Sequence, residues 1–409
     1  MKSMRSFLLF SIIPLTLSGQ WVQTNLNPGL GYCLFSNDTL IFAGTDNGVY
    51  YTDDAGDPWF GIGPDDLVFS IITTGGRIIA GSGAGQGIWL SSDLGKNWTH
   101  STGMDNQSVN ALCRNSSYIF AGVWAGGVFR SDDNGSSWQK VGLDGDAVES
   151  LISVNDTIFA SGMGTTGARV YFTANNGDSW DHRELPYPTS RVHCFAEKNG
   201  QIFAGTDGGL YSSKDSGKSW VFEYGVTFDS TGGVSDVKMF RELLVYDKYL
   251  IGAIMFNSIR TSADNGKSWQ SFNDGLISDW TFEGLAVKDS YLWSLRSMFG
   301  NAYRRPASDL VTNIRQNTGV IPNEYSLDQN YPNPFNPFTV ISWRLARGSQ
   351  VDLTVYNLLG EKIATLASGY FAAGTHTYRF DGSDLAGGVY LYQLTAVEFT
   401  QVKKMILLR

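Results

Sequence analysis

Ser131-Asp132-Asp133-Asn134-Gly135-Ser136-Ser137-Trp138 decides the fold, because its skeleton occurs six times along the chain. The copies are Thr52-x-Asp54-x-Gly56-x-x-Trp59, Ser91-x-Asp93-x-Gly95-x-x-Trp98 and Ser131-x-Asp133-x-Gly135-x-x-Trp138. Then come Thr173-x-Asn175-x-Gly177-x-x-Trp180, Ser213-x-Asp215-x-Gly217-x-x-Trp220 and Ser262-x-Asp264-x-Gly266-x-x-Trp269. Hydroxyl and carboxylate side chains can bond the backbone of a tight turn, and glycine accepts the positive φ such a turn demands. The tryptophan then covers the hairpin with a large apolar ring. Successive glycines lie 39, 40, 42, 40 and 49 residues apart, a period that belongs to propeller blades of short strands.

Outward from each turn the units share a front half. Residues 32–45 (YCLFSNDTLIFAGT), 110–123 (NALCRNSSYIFAGV) and 193–206 (HCFAEKNGQIFAGT) each read as strand, turn, strand and Ala-Gly. A third strand leads into the turn and the tryptophan starts a fourth, so each unit makes a four-stranded blade. A seventh unit, from about Trp280 to Pro306, has three strands and no such turn. Gln20-Trp21-Val22-Gln23 resembles the strand after the turn, Ser137-Trp138-Gln139-Lys140. An N-terminal strand completing the last blade would close the ring and remove its open edges. The reading is therefore all-β, a seven-bladed propeller over 20–306. A six-bladed ring with an extra hairpin is the alternative.

The six turns resemble the Asp-box, or BNR repeat, of sialidases, sortilin-type receptors, xyloglucanases and photosystem-stability-factor-like propellers. That resemblance implies a structural role for the boxes, away from the ligand. A sialidase would bring an arginine triad and a motif ahead of the first box. Here Tyr303-Arg304-Arg305-Pro306 is the nearest match, at the wrong end of the ring.

Beyond Pro306 the repeat stops. Residues 307–322 are polar and patternless and read as a linker. Alternating short strands with glycine turns return over 323–409, as in a small immunoglobulin-like sandwich. Tyr331-Pro332-Asn333-Pro334-Phe335-Asn336-Pro337, Val355 to Gly360, Gly388-Val389-Tyr390 and Lys403-Lys404-Met405 resemble the type A C-terminal sorting domain of the type IX secretion system. The resemblance implies a Gram-negative bacterium of the Bacteroidota kind, passage through the periplasm, handling by the type IX machinery, and a secreted or outer-surface destination.

Other features agree with export. Lys2, Arg5 and the apolar run Phe7 to Leu17 read as a signal peptide over 1–19, too short to span a bilayer. No other stretch approaches a transmembrane segment. Cys33, Cys113 and Cys194 fall on inner strands of alternate blades and read as small core residues. No Cys/His cluster suggests a metal, and no cofactor is expected. Net charge is −9, the first nineteen residues carry +2 and the last 87 are neutral, so about −11 rests on the rest. That argues against a nucleic-acid partner.

Aligning the seven inner strands leaves one polar, varied column: Tyr32, Phe69, Asn110, Glu149, His193, Arg241 and Glu283. It falls at the start of each inner strand, where a propeller opens its channel, and is the candidate binding site for a polysaccharide or protein ligand. Glu149 and Glu283 stand on opposite sides of this ring and are the candidate catalytic pair if the protein is instead a glycoside hydrolase. A solvated rim with no ligand is the plainer reading, and a binding propeller is preferred to an enzyme.

Overall fold

The computed structural model describes residues 20–53, 56–162, 168–185, 189–228, 234–256, 258–276, 281–310, 325–330, 333–371, 374–383, 385–397 and 399–408. Residues 1–19, read from the sequence as a signal peptide, and Asp54, Tyr331 and Pro332 lie outside them. The chain forms two compact units, residues 1–313 and 314–409.

Among the described residues the first unit holds seven four-stranded antiparallel sheets. Blade 1 is Gly31–Ser36, Ile41–Thr45, Gly48–Thr52 and Phe60–Gly63. Five more blades follow with the same order, their inner strands being Val68–Thr74, Val109–Arg114, Leu151–Val154, Val192–Lys198 and Phe240–Tyr246. Blade 7 takes Phe282–Lys288, Tyr291–Arg296 and Ala302–Pro306 from the end of the repeat and Val22–Gln23 from the beginning. Each inner strand packs on the next, and that of blade 7 packs on that of blade 1, so the ring is closed.

The second strands carry the core. Ile41–Thr45, Ile119–Val123 and Gln201–Thr206 are buried at every residue, as strands sandwiched between neighbouring sheets must be. A hairpin of Val226–Phe228 and Val234–Val237, inserted between blades 5 and 6, accounts for the 49-residue glycine spacing.

The five fully described box turns repeat one bonding pattern. In blade 3 Ser131 Oγ donates to Asp133 Oδ1 at 2.8 Å and accepts from Gly135 N at 2.9 Å. Asp133 accepts from Ser137 N at 2.9 Å and from Ser137 Oγ at 2.7 Å. Two consecutive residues take positive φ, Asn134 at 57° and Gly135 at 84°, a conformation glycine adopts freely; blade 2 carries Leu94 at 57° in the place of Asn134. A Cβ on Gly135 would lie 2.9 Å from Ile79 of the preceding blade, so the turn is a docking point between blades. The tryptophans divide into two roles. Trp138, Trp220 and Trp269 donate to the glycine carbonyl of their own turn, whereas Trp98 and Trp180 donate to Ile62 and Val141 of the preceding blade and Trp59 to Thr24.

At the seam Val22 pairs with Arg304 and Gln23 with Tyr303. Trp21 is buried; its indole N–H donates to the Phe272 carbonyl at 2.6 Å and its ring meets Phe272 edge-on at 5.9 Å. The start of the expected linker departs from that reading. Ala307 and Leu310 are buried, and Asp309 receives a 3.1 Å bond from the fully buried Arg305, so 307–310 are anchored to the propeller. Two apolar side chains three positions apart in a polar stretch suffice to anchor it.

In the second unit a sheet of Ser326–Leu327, Phe338–Leu345 and Gly374–Asp381 accompanies one ordered Lys362–Phe371, Ser349–Tyr356, Gly388–Ala396, Phe399–Leu407. Trp343, Leu353, Tyr392, Leu394 and Met405 are among its fully buried core. This is an immunoglobulin-like sandwich.

Candidate functional site

All seven residues of the aligned column line a single cavity of about 420 Å³ at the channel mouth, joined by Cys33, Trp124, Arg191, Glu242 and Ser297. The backbone explains how they reach it. In six blades the strand pairing skips the column residue: Gly31 to Cys33, Val68 to Ser70, Val109 to Ala111, Val192 to Cys194, Phe240 to Glu242 and Phe282 to Gly284. Each of these six column residues sits at a β-bulge, and a bulge re-aims one side chain out of the pleat. In blade 4 the amides of Glu149 and Ser150 both donate to Ser161 Oγ, at 2.8 and 2.9 Å.

The cavity wall has two chemically different arcs. Blades 1–3 supply aromatic surface: the Tyr32 and Phe69 rings lie 4.6 Å apart, and Trp124 carries the Arg191 guanidinium 5.4 Å from its centroid. Blades 4–7 supply a chain of charged contacts. Arg191 donates to Glu149 Oε1 at 3.2 Å, and His193 Nδ1 meets Glu149 Oε2 at 2.9 Å. Arg241 Nη1 lies 3.2 Å from the same His193 nitrogen, and Arg241 donates to Glu283 Oε2 through Nε at 3.1 Å and Nη2 at 3.0 Å. Glu149 can only accept and Arg241 can only donate, so this one nitrogen serves Glu149 as donor in one tautomer and Arg241 as acceptor in the other. His193 Nε2 is buried and has no hydrogen-bond partner among the described residues. Asn110 reaches the Val148 carbonyl at 3.5 Å.

Burial works against the Glu149 charge, but the His193 hydrogen bond and the charges of His193, Arg191 and Arg241 outweigh it and hold the carboxyl below its ordinary value. Burial likewise opposes the Arg241 charge; Glu283 and then Glu149 reverse the balance and hold the guanidinium above its ordinary value. Glu242 behaves oppositely. Burial pushes its carboxyl up to about 8, and the Glu283 charge adds to that. The two proposed carboxylates are thus tied to cations, and a third, held well above the ordinary carboxylate value, shares their cavity.

Glu242 was not among the sequence candidates. In the column after the ring, Cys33, Ser70, Ala111, Ser150, Cys194, Glu242 and Gly284, it is the lone charged residue, which was the available signal. Several loop acids near the mouth are engaged in structure instead: Asp46 caps Leu30 N at 2.9 Å, Asp66 accepts from Trp89 at 2.9 Å, Asp146 from Tyr171 at 2.8 Å, and Asp207 from Ser190 N at 2.9 Å.

In the sandwich the segments singled out by sequence meet each other. Asn333 Oδ1 accepts from Ile406 N at 2.9 Å and its Nδ2 donates to the Lys404 carbonyl at 3.2 Å. Phe335 N donates to Ile406 O and Leu408 N to Phe335 O, at 2.9 and 2.8 Å, flanking the stretch to Asn336-Pro337. Tyr390, two residues beyond Gly388, donates to the Ala386 carbonyl at 2.8 Å. Residues 329–408 match the secretion system C-terminal sorting domain family. A sorting domain of the type IX system directs its cargo to the cell surface or outside, so the protein is exported and handled by that machinery. Among the described residues no helix is long and apolar enough to cross a membrane.

Solved structures resemble the chain in fold. PorZ, an essential bacterial surface component of the type IX secretion system of Porphyromonas gingivalis, superposes with a TM-score of 0.53 at 14% identity, over 97% of this chain and 61% of PorZ. YCF48 from Cyanidioschyzon merolae gives 0.54 at 14%, over 71% of this chain and 99% of YCF48. The WD40 repeats of RRP9 give 0.56 at 12%, over 71% and 98%. The chain therefore spans about three fifths of PorZ, and these likenesses concern the propeller fold. No curated protein matches the sequence significantly.

Proposed function

We propose that the protein is an exported, non-enzymatic propeller that binds a polysaccharide at its channel mouth. The division of one cavity into an aromatic arc and a charge-balanced arc carries this reading. A sugar ring presents a C–H face that stacks on aromatic rings and a rim of hydroxyls that both donate and accept. Glu149 and Glu283 supply acceptors, Arg191 and Arg241 donors, and His193 Nε2 is a buried polar atom with a bond still to make. A protein ligand is the competing occupant, since one YCF48 structure resembling this chain is of YCF48 bound to D1 peptide.

Glycan and peptide arrays probed with the purified chain decide between them. Trp124→Ala and Glu149→Gln should each weaken glycan binding about tenfold or more, with melting unchanged. Signal confined to peptides, or glycan binding indifferent to both variants, removes the proposal.

Glu242 favours a second reading. A carboxyl kept protonated beside ionised carboxylates is the pairing glycoside hydrolysis uses, one as general acid and one as base or nucleophile. Release of reducing sugar from a polysaccharide, abolished by Glu242→Gln, would establish it.

A further inference from the structure

Leu358 and Leu359, at the tip of the hairpin between Ser349–Tyr356 and Lys362–Phe371, are 68% and 85% exposed. No other large apolar side chain among the described residues stands out so far. Their turn is tightly built. Asn357 Oδ1 accepts from Leu359 N at 3.0 Å and Glu361 N at 2.9 Å, while Asn357 Nδ2 donates to Glu361 Oε2 at 2.7 Å. Asn357 N donates to the Glu361 carbonyl at 3.0 Å, Gly360 N to the Asn357 carbonyl at 3.1 Å, and Gly360 takes a φ of 80°. The backbone is thus satisfied within the turn, and its two leucines are held out in water, where an adjacent apolar pair is costly unless something covers it.

The other segments of this domain that stood out in the sequence, where described, bury their large apolar side chains or bond to one another. Asn333 and Phe335 hold the last strand, Tyr390 is buried, and Met405 is fully buried. Among the described residues of this domain, the Asn357–Gly360 turn holds the two most exposed large apolar side chains. We propose that Leu358 and Leu359 are a knob that seats in an apolar pocket of the secretion machinery and is a grip point for export. The proposal uses the sorting-domain match of residues 329–408 and is independent of what the propeller binds. Two leucines on a rigid turn fit a protein pocket. A membrane would call for a broader apolar face, and the turn carries Glu361 beside them.

The test is export of the full chain in a host with a type IX system, followed by protease shaving of the cell surface. Leu358→Ser with Leu359→Ser should accumulate in the periplasm, its surface fraction falling about tenfold or more, because each seated leucine contributes roughly tenfold in affinity. Leu358→Met with Leu359→Met should restore export. Val397→Ser with Val402→Ser, which removes two other exposed apolar side chains of the sandwich, should export normally. Purified serine and parent chains should melt alike, which separates lost recognition from lost folding. If serine substitution perturbs melting, glutamine at both positions replaces it under the same criteria. Parental surface levels for the folded variant overturn the proposal, as does equal loss in the Val397/Val402 control. Flotation of the parent but not the variant with phosphatidylethanolamine–phosphatidylglycerol vesicles would assign the knob to lipid. A leucine-dependent dimer in sedimentation would assign it to a second copy; either outcome overturns the pocket assignment.

Discussion

Trp21→Ala should lower the melting temperature of the propeller by about 6–10 °C while leaving the sandwich transition in place. Trp21 is 2% exposed, packs edge-on against Phe272 and donates its indole N–H to the Phe272 carbonyl. Truncating a buried tryptophan to alanine costs about 3–5 kcal/mol, and here the indole hydrogen bond is lost within that figure. A domain of this size loses roughly 2 °C per kcal/mol, which gives the range above. The cavity opens where Val22–Gln23 pair with Tyr303 and Arg304, so the blade 7 edge should fray first. Differential scanning calorimetry of the full chain reads both transitions, and amide exchange at residues 302–306 reads the edge. A fall below about 2 °C, or protection at 302–306 equal to the parent's, would refute the reasoning that the N-terminal strand holds the ring shut.

Three further outcomes are expected. Gly135→Val should destabilise the propeller by about 2–4 kcal/mol, through a β-branched residue forced to φ 84° and its Cβ pressed on Ile79, without altering ligand affinity; urea titration and a binding assay measure the two effects. Hydrogen bonds from the Ser219 side chain and backbone, then Ser213, hold the Asp215 carboxyl near 2, below its ordinary 3.8. Its contribution to stability is fully present above the ordinary value and disappears as pH falls toward 2. The stability gap between parent and Asp215→Asn in urea should therefore shrink from pH 6 to pH 2, and a gap independent of pH would contradict it; Asn175, which accepts from Ser179 N at 3.0 Å, shows that asparagine fits this turn. Deleting residues 323–409 should leave a folded propeller in the periplasm, which cell fractionation detects; efficient surface delivery of the truncated chain would exclude sorting by that domain.

The blades were legible because each one repeats a turn whose chemistry is local: a hydroxyl, a carboxylate and a glycine at fixed offsets need no knowledge of neighbours. The seam was legible because Trp21 repeats the tryptophan that begins outer strands. The ring of seven mouth residues came from alignment of one column, but the β-bulges that turn six of them inward leave no mark in residue type. What escaped depended on partners distant in sequence. Whether a box tryptophan bonds its own glycine or the preceding blade is decided by packing, and Glu242 acquired its character only from the burial that the channel imposes. The anchoring of 307–310 rests on Arg305, whose charge gave no hint of full burial.

Closure through Val22–Gln23 also sets an order of assembly. Thr24 bonds the Ala302 carbonyl across 278 residues of sequence, so the strand that emerges first must wait for nearly the last part of the propeller before it has a partner. Until then blade 7 lacks its outer strand, and an unpaired edge is a template for pairing with other chains. Contacts of such separation form slowly. A chain threaded through a membrane from its N-terminus would therefore remain an open arc for most of its passage, and become a ring only as its sorting domain follows.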